Sequence, residues 1–132
     1  MKRILAIATL AALAACAMAP PGPPLPATPV FFEPWSAALD QHAISVIAAA
    51  AQQAQGVPDA SVLVTGAADS TGSAQANIYL SKTRAQVVAD QLAADGVSPG
   101  RIRVHGVGIV PAPVPTGTPA QYARRVLIQI QS

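Results

Sequence analysis

The chain has 132 residues, 52% of them hydrophobic but only 4% aromatic, and a formal charge of +2. That length allows one small domain with appendages, and so few rings mean a core of alanine and aliphatic side chains. Lys2 and Arg3 account for the whole excess charge, since beyond residue 15 six cations meet six carboxylates, so no basic surface points to a nucleic-acid partner.

Lys2 and Arg3 open the segment MKRILAIATLAALAACA, in which Ile4 to Ala15 is an apolar stretch of twelve residues. A bilayer of roughly 30 Å takes about 20 residues to span, so residues 1–15 read as a secretory signal peptide rather than a membrane helix. Leu13-Ala14-Ala15-Cys16 resembles the lipobox of bacterial lipoproteins. The resemblance implies cleavage before Cys16, lipidation of that cysteine, and anchorage in membrane lipid. Ala17 follows rather than an acidic residue, which in lipoproteins resembles sorting to the outer membrane. Cys16 is the chain's only cysteine, so no internal disulfide is available in an oxidising compartment.

Residues 17–29, AMAPPGPPLPATP, are proline-rich and favour polyproline II over helix or ladder. At ~3.1 Å per residue they would reach roughly 40 Å. Residues 16–29 therefore read as a lipidated cysteine and a semi-rigid tether, ahead of a folded domain over residues 30–132.

Within that domain Val30-Phe31-Phe32 is a short strand-like run ended by Pro34. Ser36 is placed to cap a helix reaching Gln55, with Gly56 as its stop. Leu39, Ala43, Val46, Ile47 and Ala50 supply its apolar stripe. Ser61 to Thr65 reads as a strand, GAADSTGS as a loop, and Ala74 to Asp95 as a second helix closed by Gly96. Ile102 to Val107 is a third strand, residues 111–119 a stiff loop, and Arg125 to Gln131 a last strand with Val126, Ile128 and Ile130 on one face. The predicted fold is α+β: a two-layer sandwich in β-α-β-α-β-β order, with a small mixed sheet and the helices on one of its faces.

The second helix carries the chemistry. At ~100° per residue, Leu80, Val87, Val88 and Leu92 form its buried stripe, and Asn77 and Arg84 fall inside that stripe with Ser81 at its margin. An inward arginine needs an anion, because an unpaired buried charge is costly. Asp69, the lone carboxylate of the preceding loop, is the nearest candidate. The pair could be a structural lock between loop and helix. It could instead frame a pocket at the helix N-terminus, whose free N–H groups and positive partial charge suit a carboxylate. Arg84 would then grip a carboxylate and Asp69 accept from an ammonium, which together describe an amino-acid head.

The stretch VTGAADSTGSAQANIYLSKTRAQVVADQL resembles the OmpA C-terminal-like domain family, which includes the peptidoglycan-associated lipoprotein. Gly66, Asp69, Gly72, Asn77, Leu80, Ser81, Arg84 and Ala85 match its G-H-T-D-x-x-G and N-x-x-L-S-x-x-R-A patterns. Arg101-Ile102, Gly106-Val107-Gly108 and Arg124-Arg125-Val126 match its later elements, and VFFEPWSAAL resembles its opening. The resemblance spans residues 30–132. It implies a non-covalent peptidoglycan binder in which Asp69 and Arg84 hold the diaminopimelate end of the stem peptide, Asn77 lines the pocket, and Arg124 or Arg125 joins it. The chain departs from the pattern at Ala67-Ala68 (His-Thr in the family), Ala123 (Asn), Val107 and Ile109 (Tyr and Glu), and Pro34-Trp35 (Phe-Asp).

The expected role is an outer-membrane lipoprotein that links membrane to cell wall from the periplasm. The alternative is an OmpA-like envelope lipoprotein with a degenerate pocket, serving as a structural or protein-interaction module with other envelope proteins. Enzymatic chemistry is not expected. Asp69-Ser70-Thr71-Gly72 holds one residue too many for an aspartic-protease D-[ST]-G, and the two histidines, His42 and His105, form no H-E-x-x-H. There is no G-x-S-x-G and no G-K-[ST], and Gly106-Val107-Gly108 leads into Ile109-Val110-Pro111 rather than a dinucleotide fingerprint. No catalytic residue, metal or cofactor is expected.

Overall fold

The computed structural model describes residues 25–132. The signal-like segment 1–15, Cys16 and residues 17–24 of the tether lie outside the described residues. Six main elements follow in the expected order: β1 (Thr28–Phe31), α1 (Gln41–Gln55), β2 (Ser61–Ala68), α2 (Ala74–Ala94), β3 (Ile102–Ile109) and β4 (Arg125–Gln131). The sheet order is β1-β4-β2-β3, with β4 antiparallel to both neighbours and β2 parallel to β3. The result is the mixed four-stranded sheet with two helices anticipated above.

β1 begins at Thr28, so the last two residues of the segment read as tether are already paired, Thr28 with Ile128 and Pro29 with Leu127. A proline is tolerated there because β1 is an edge strand. Val30, Val62, Val64, Val126, Ile128 and Ile130 form the inward row and join Ile47, Ala50, Val88 and Leu92 in one core. On the other face Phe31 is exposed, and Leu63, Thr65 and Leu127 are half-buried. Phe32 is the one aromatic residue of that core, as the composition requires.

α1 starts later than expected. Asp40 caps it, accepting from the Ala43 N–H at 2.7 Å, and Ser36 lies four residues upstream, where its hydroxyl accepts from Ala38. A carboxylate at the N-cap also meets the helix dipole favourably. The far end of α1 is closed by Arg101, whose guanidinium donates to the carbonyls of Ala54, Val57 and Ala60 at 2.7–2.9 Å.

α2 is capped by Ser73, which accepts from Ala76. It ends with Gly96 at φ +107 and Val97 N–H bonded back to Leu92, a closure that needs a left-handed residue. Its buried face differs from the expected one. Asn77, Ser81, Arg84, Ala85, Val88, Ala89 and Leu92 are buried, whereas Leu80 and Val87 are only half-buried. Arg84 and Asn77 lie inside the stripe as expected, but Ser81 is at its centre rather than its margin.

Glycine on the sheet explains this. An added Cβ at Gly66 would come within 2.9 Å of the Ser81 carbonyl carbon, and one at Gly106 within 2.7 Å of the Lys82 Cα. The helix backbone therefore lies directly on β2 and β3, too close for a leucine at that point. Ser81 fits, and its hydroxyl accepts from Gly108 N–H at 2.9 Å and donates to the Ile78 carbonyl at 2.8 Å.

Candidate ligand-binding site

β2 runs three residues further than the sequence suggested, so Gly66, Ala67 and Ala68 belong to the strand rather than to the loop. Its register with β3 shifts between Gly66 and Ala68. The extra residue is on β3, where three steps from Gly106 to Ile109 match two on β2. Pairing of β2 with β4 ends at Gly66 opposite Val126, and beyond that end the Ala67 carbonyl accepts from Arg84 Nη1 at 3.1 Å.

Arg84 is wholly buried. Its Nε donates to the Ser36 carbonyl at 2.8 Å and its Nη2 to the Glu33 carbonyl at 3.0 Å, and its guanidinium lies 5.3 Å from the centre of the Phe32 ring. The expected Asp69–Arg84 pair is not formed. Asp69 pairs with Arg124, Oδ2 to Nη1 at 3.0 Å. The reason is reach: the start of β4 lies beside the end of β2, Gly66 opposite Val126, and this sets Arg124 against the loop. Arg84 points instead toward the 33–36 turn.

Asp69 is also buried. Its Oδ1 accepts from the Thr71 N–H and hydroxyl, and its Oδ2 from the Ala120 N–H at 3.1 Å as well as from Arg124. Those four donors fill the four lone-pair positions of a carboxylate. Burial alone would raise its pKa, but the bonds from Thr71, Arg124 and Ala120 outweigh it and lower the value from 3.8 to about 2. Burial lowers the pKa of Arg84; the charge of Asp69 opposes this and that of Arg124 adds to it. The cluster thus holds two buried guanidiniums and one carboxylate, a surplus of one positive charge with no acidic partner of its own.

The depressed carboxylate has a consequence for stability. Asp69 stays ionised in the folded chain below the pH at which it would protonate unfolded, so its contribution is full above pH 3.8 and is lost as pH falls toward 2. Wild type is expected to lose about 2 kcal/mol across that window. Asp69→Asn should flatten this part of the profile in urea unfolding followed from pH 5 to pH 2. An unchanged slope in the variant would assign the acid loss to other carboxylates.

Asn77 is buried, and its Nδ2 donates to the carbonyls of Thr71 at 2.6 Å and Ser73 at 3.0 Å. It fastens the Asp69 loop to the first turn of α2. Of the two candidate arginines, Arg124 enters the cluster and also donates to the Phe32 carbonyl at 3.0 Å. Arg125 does not. Its guanidinium stacks 4.4 Å from the Tyr122 ring and donates to the Tyr122 carbonyl. Alternation decides this, because Arg124 shares the inward face with Val126 and Arg125 the outer one.

Six participants escaped the sequence reading: Thr71, the Ala120 N–H, and the carbonyls of Phe32, Glu33, Ser36 and Ala67. Only Thr71 had a local signal, as a hydroxyl two residues after an aspartate; the others act through backbone atoms. The four charged or amide side chains are all closed over. A cleft of about 650 Å³ between β1 and the start of α1 reaches Glu33 and Ser36, but Asp69, Asn77, Arg84 and Arg124 do not line it. Among the described residues no group of histidine, cysteine and carboxylate side chains could hold a metal ion, and no helix is long and apolar enough to cross a membrane.

The profile of the OmpA family matches residues 31–125. The chain belongs to the OmpA family. Within it, the chain is 34% identical over 102 residues to the peptidoglycan-binding protein ArfA of Mycobacterium tuberculosis and of Mycobacterium bovis. That match takes in 77% of this chain but 31% of those proteins, so the chain spans about a third of their length. Its fold is that of the peptidoglycan-associated lipoprotein from Burkholderia pseudomallei, with a TM-score of 0.70 at 23% identity over 79% of this chain and 90% of that one. An OmpA-like domain from Francisella tularensis superposes with a TM-score of 0.71 at 23% identity over 79% and 70%. This OmpA-family chain therefore keeps the family's helix-on-sheet frame. Its Asp69, Asn77, Arg84 and Arg124 are all buried.

Proposed function

We propose that this chain is a non-enzymatic peptidoglycan-binding domain that holds the diaminopimelate end of the stem peptide. Family membership and the 34% identity to a protein named for peptidoglycan binding support the class of ligand. The observation that carries the reading is Arg84. It is a wholly buried cation whose hydrogen bonds all go to neutral carbonyls. A ligand carboxylate is a stronger acceptor than any of the three, and it would cancel the surplus charge of the cluster. The ligand's ammonium would be taken by Asp69 once the Thr71 hydroxyl turns away from Oδ1.

On this reading the lipid on Cys16 sits in the outer membrane, the proline-rich segment crosses part of the periplasm, and the domain grips the wall. Two modest attachments on one chain join two layers through effective concentration.

The test is sedimentation with purified sacculi. Wild type should co-sediment, and soluble stem peptide with a free diaminopimelate head should release it. The same peptide amidated at that carboxylate should compete poorly. Equal competition by the two peptides would remove the proposed role of Arg84. If wild type fails to sediment but co-purifies with an envelope protein, the closed pocket is a structural lock and the domain a protein-interaction module.

A further inference from the structure

The cluster is shut by a turn in the link between β1 and α1. Residues 33–36 close on themselves through the Ser36 N–H and the Glu33 carbonyl at 3.2 Å. The same Glu33 carbonyl and that of Ser36 hold the Arg84 guanidinium. Between them Trp35 has φ +54, the single non-glycine residue at positive φ among those described. A bulky side chain there is a backbone outlier, and such outliers persist only where the surroundings hold them.

What holds Trp35 is Gly72. A Cβ at that glycine would come within 2.8 Å of the indole Cζ2. The bare backbone thus receives the ring, and the indole joins the 33–36 turn to the Asp69 loop. Yet Trp35 is 55% exposed, so the contact is partial. The turn is strained, is fastened by a half-exposed ring and by Arg84 itself, and places two carbonyls where a ligand's acceptors would sit.

We propose that Trp35 and its turn form a gate over Arg84 that an anionic ligand group displaces. The inference rests on the binding role argued above and adds what limits the affinity of that site. Neutral groups gain nothing by replacing carbonyls, whereas a carboxylate does. The closed turn lowers affinity for every ligand by the fraction of molecules that are open. Trp35 thereby sets the affinity of the site without supplying a bond to the ligand, and the ratio between a free carboxylate and its amide is left to Arg84 itself.

The chain has one tryptophan, so its fluorescence reports the gate directly. The purified protein is titrated with soluble stem peptide, free or amidated at the diaminopimelate carboxylate, by calorimetry and by fluorescence. Wild type should show a saturating tryptophan change on free peptide at the calorimetric affinity. Trp35→Ala loses the indole contact but keeps the cost of a left-handed residue, so its turn opens. It should bind free peptide about five-fold or more tighter than Trp35→Gly, which adopts positive φ without penalty. Trp35→Ala should also exceed wild type, with the ratio between free and amidated peptide unchanged.

Weaker binding by Trp35→Ala than by wild type would make the indole a ligand contact and overturn the gate. Equal affinities for the alanine and glycine variants would overturn it as well, as would binding without a fluorescence change; in each of these cases the peptidoglycan-binding reading stands. Absence of binding in wild type and both variants removes the two together. Binding by Trp35→Ala alone supports the gate in its strongest form.

Discussion

Arg84→Ala is expected to abolish binding to sacculi and to lower the stability of the fold by about 3–5 kcal/mol. Removing the guanidinium strands the carbonyls of Glu33, Ser36 and Ala67, each at about 1–3 kcal/mol if it stays dry. It also takes a cation away from Asp69. Arg84→Lys separates the two effects. An ammonium keeps the charge but cannot reach three carbonyls that diverge around a planar fork, so it should recover part of the stability and little of the affinity. Urea unfolding reads the first quantity and co-sedimentation at temperatures where the variant is folded reads the second. Wild-type binding by folded Arg84→Ala would dismiss the site altogether.

Gly66→Ala is expected to cost about 3–5 kcal/mol, or to prevent folding. The new Cβ meets the Ser81 carbonyl and stands 3.1 Å from the Ala85 Cβ. These atoms belong to the middle of a 21-residue helix that cannot move locally without lifting Ser81 from Gly108 and Arg84 from Ala67. Gly100→Ala is the control. Nothing lies within 4 Å of a Cβ there, so its change should stay within about 0.5 kcal/mol. Thermal or urea midpoints of the two variants settle the matter, and similar midpoints would mean that α2 has room to shift on the sheet.

Both predictions rest on the same packing. Glycines on β2 and β3 bring α2 down onto the strands. That closeness turns Ser81 and Arg84 into the centre of the interface, and the end of β2, past its pairing with β4, then offers Arg84 a carbonyl. The family's His-Thr pair is Ala67-Ala68 here, and both alanines are buried. Their side chains contribute no hydrogen bond, but the Ala67 carbonyl still does. The thinning noted in the sequence therefore removes side-chain support and leaves backbone support in place.

The amino-acid sequence by itself determined the element order, the inward face of β4, the small-residue core, and the presence of a buried arginine on α2. These are matters of period and composition, carried by neighbours three or four residues apart on a helix or two apart on a strand. It also narrowed the carboxylate to Asp69 and left Arg124 and Arg125 level. Only the tertiary structure decided which cation Asp69 takes, because Arg124 is 55 residues away along the chain and arrives through the pairing of β4 with β2. It likewise decided that Asp40 rather than Ser36 caps α1, since the 33–36 backbone is drawn off to surround Arg84. A buried charge collects its partners from whatever backbone the fold brings within about 3 Å, and carbonyls carry no side-chain signature for a reader of sequence to find.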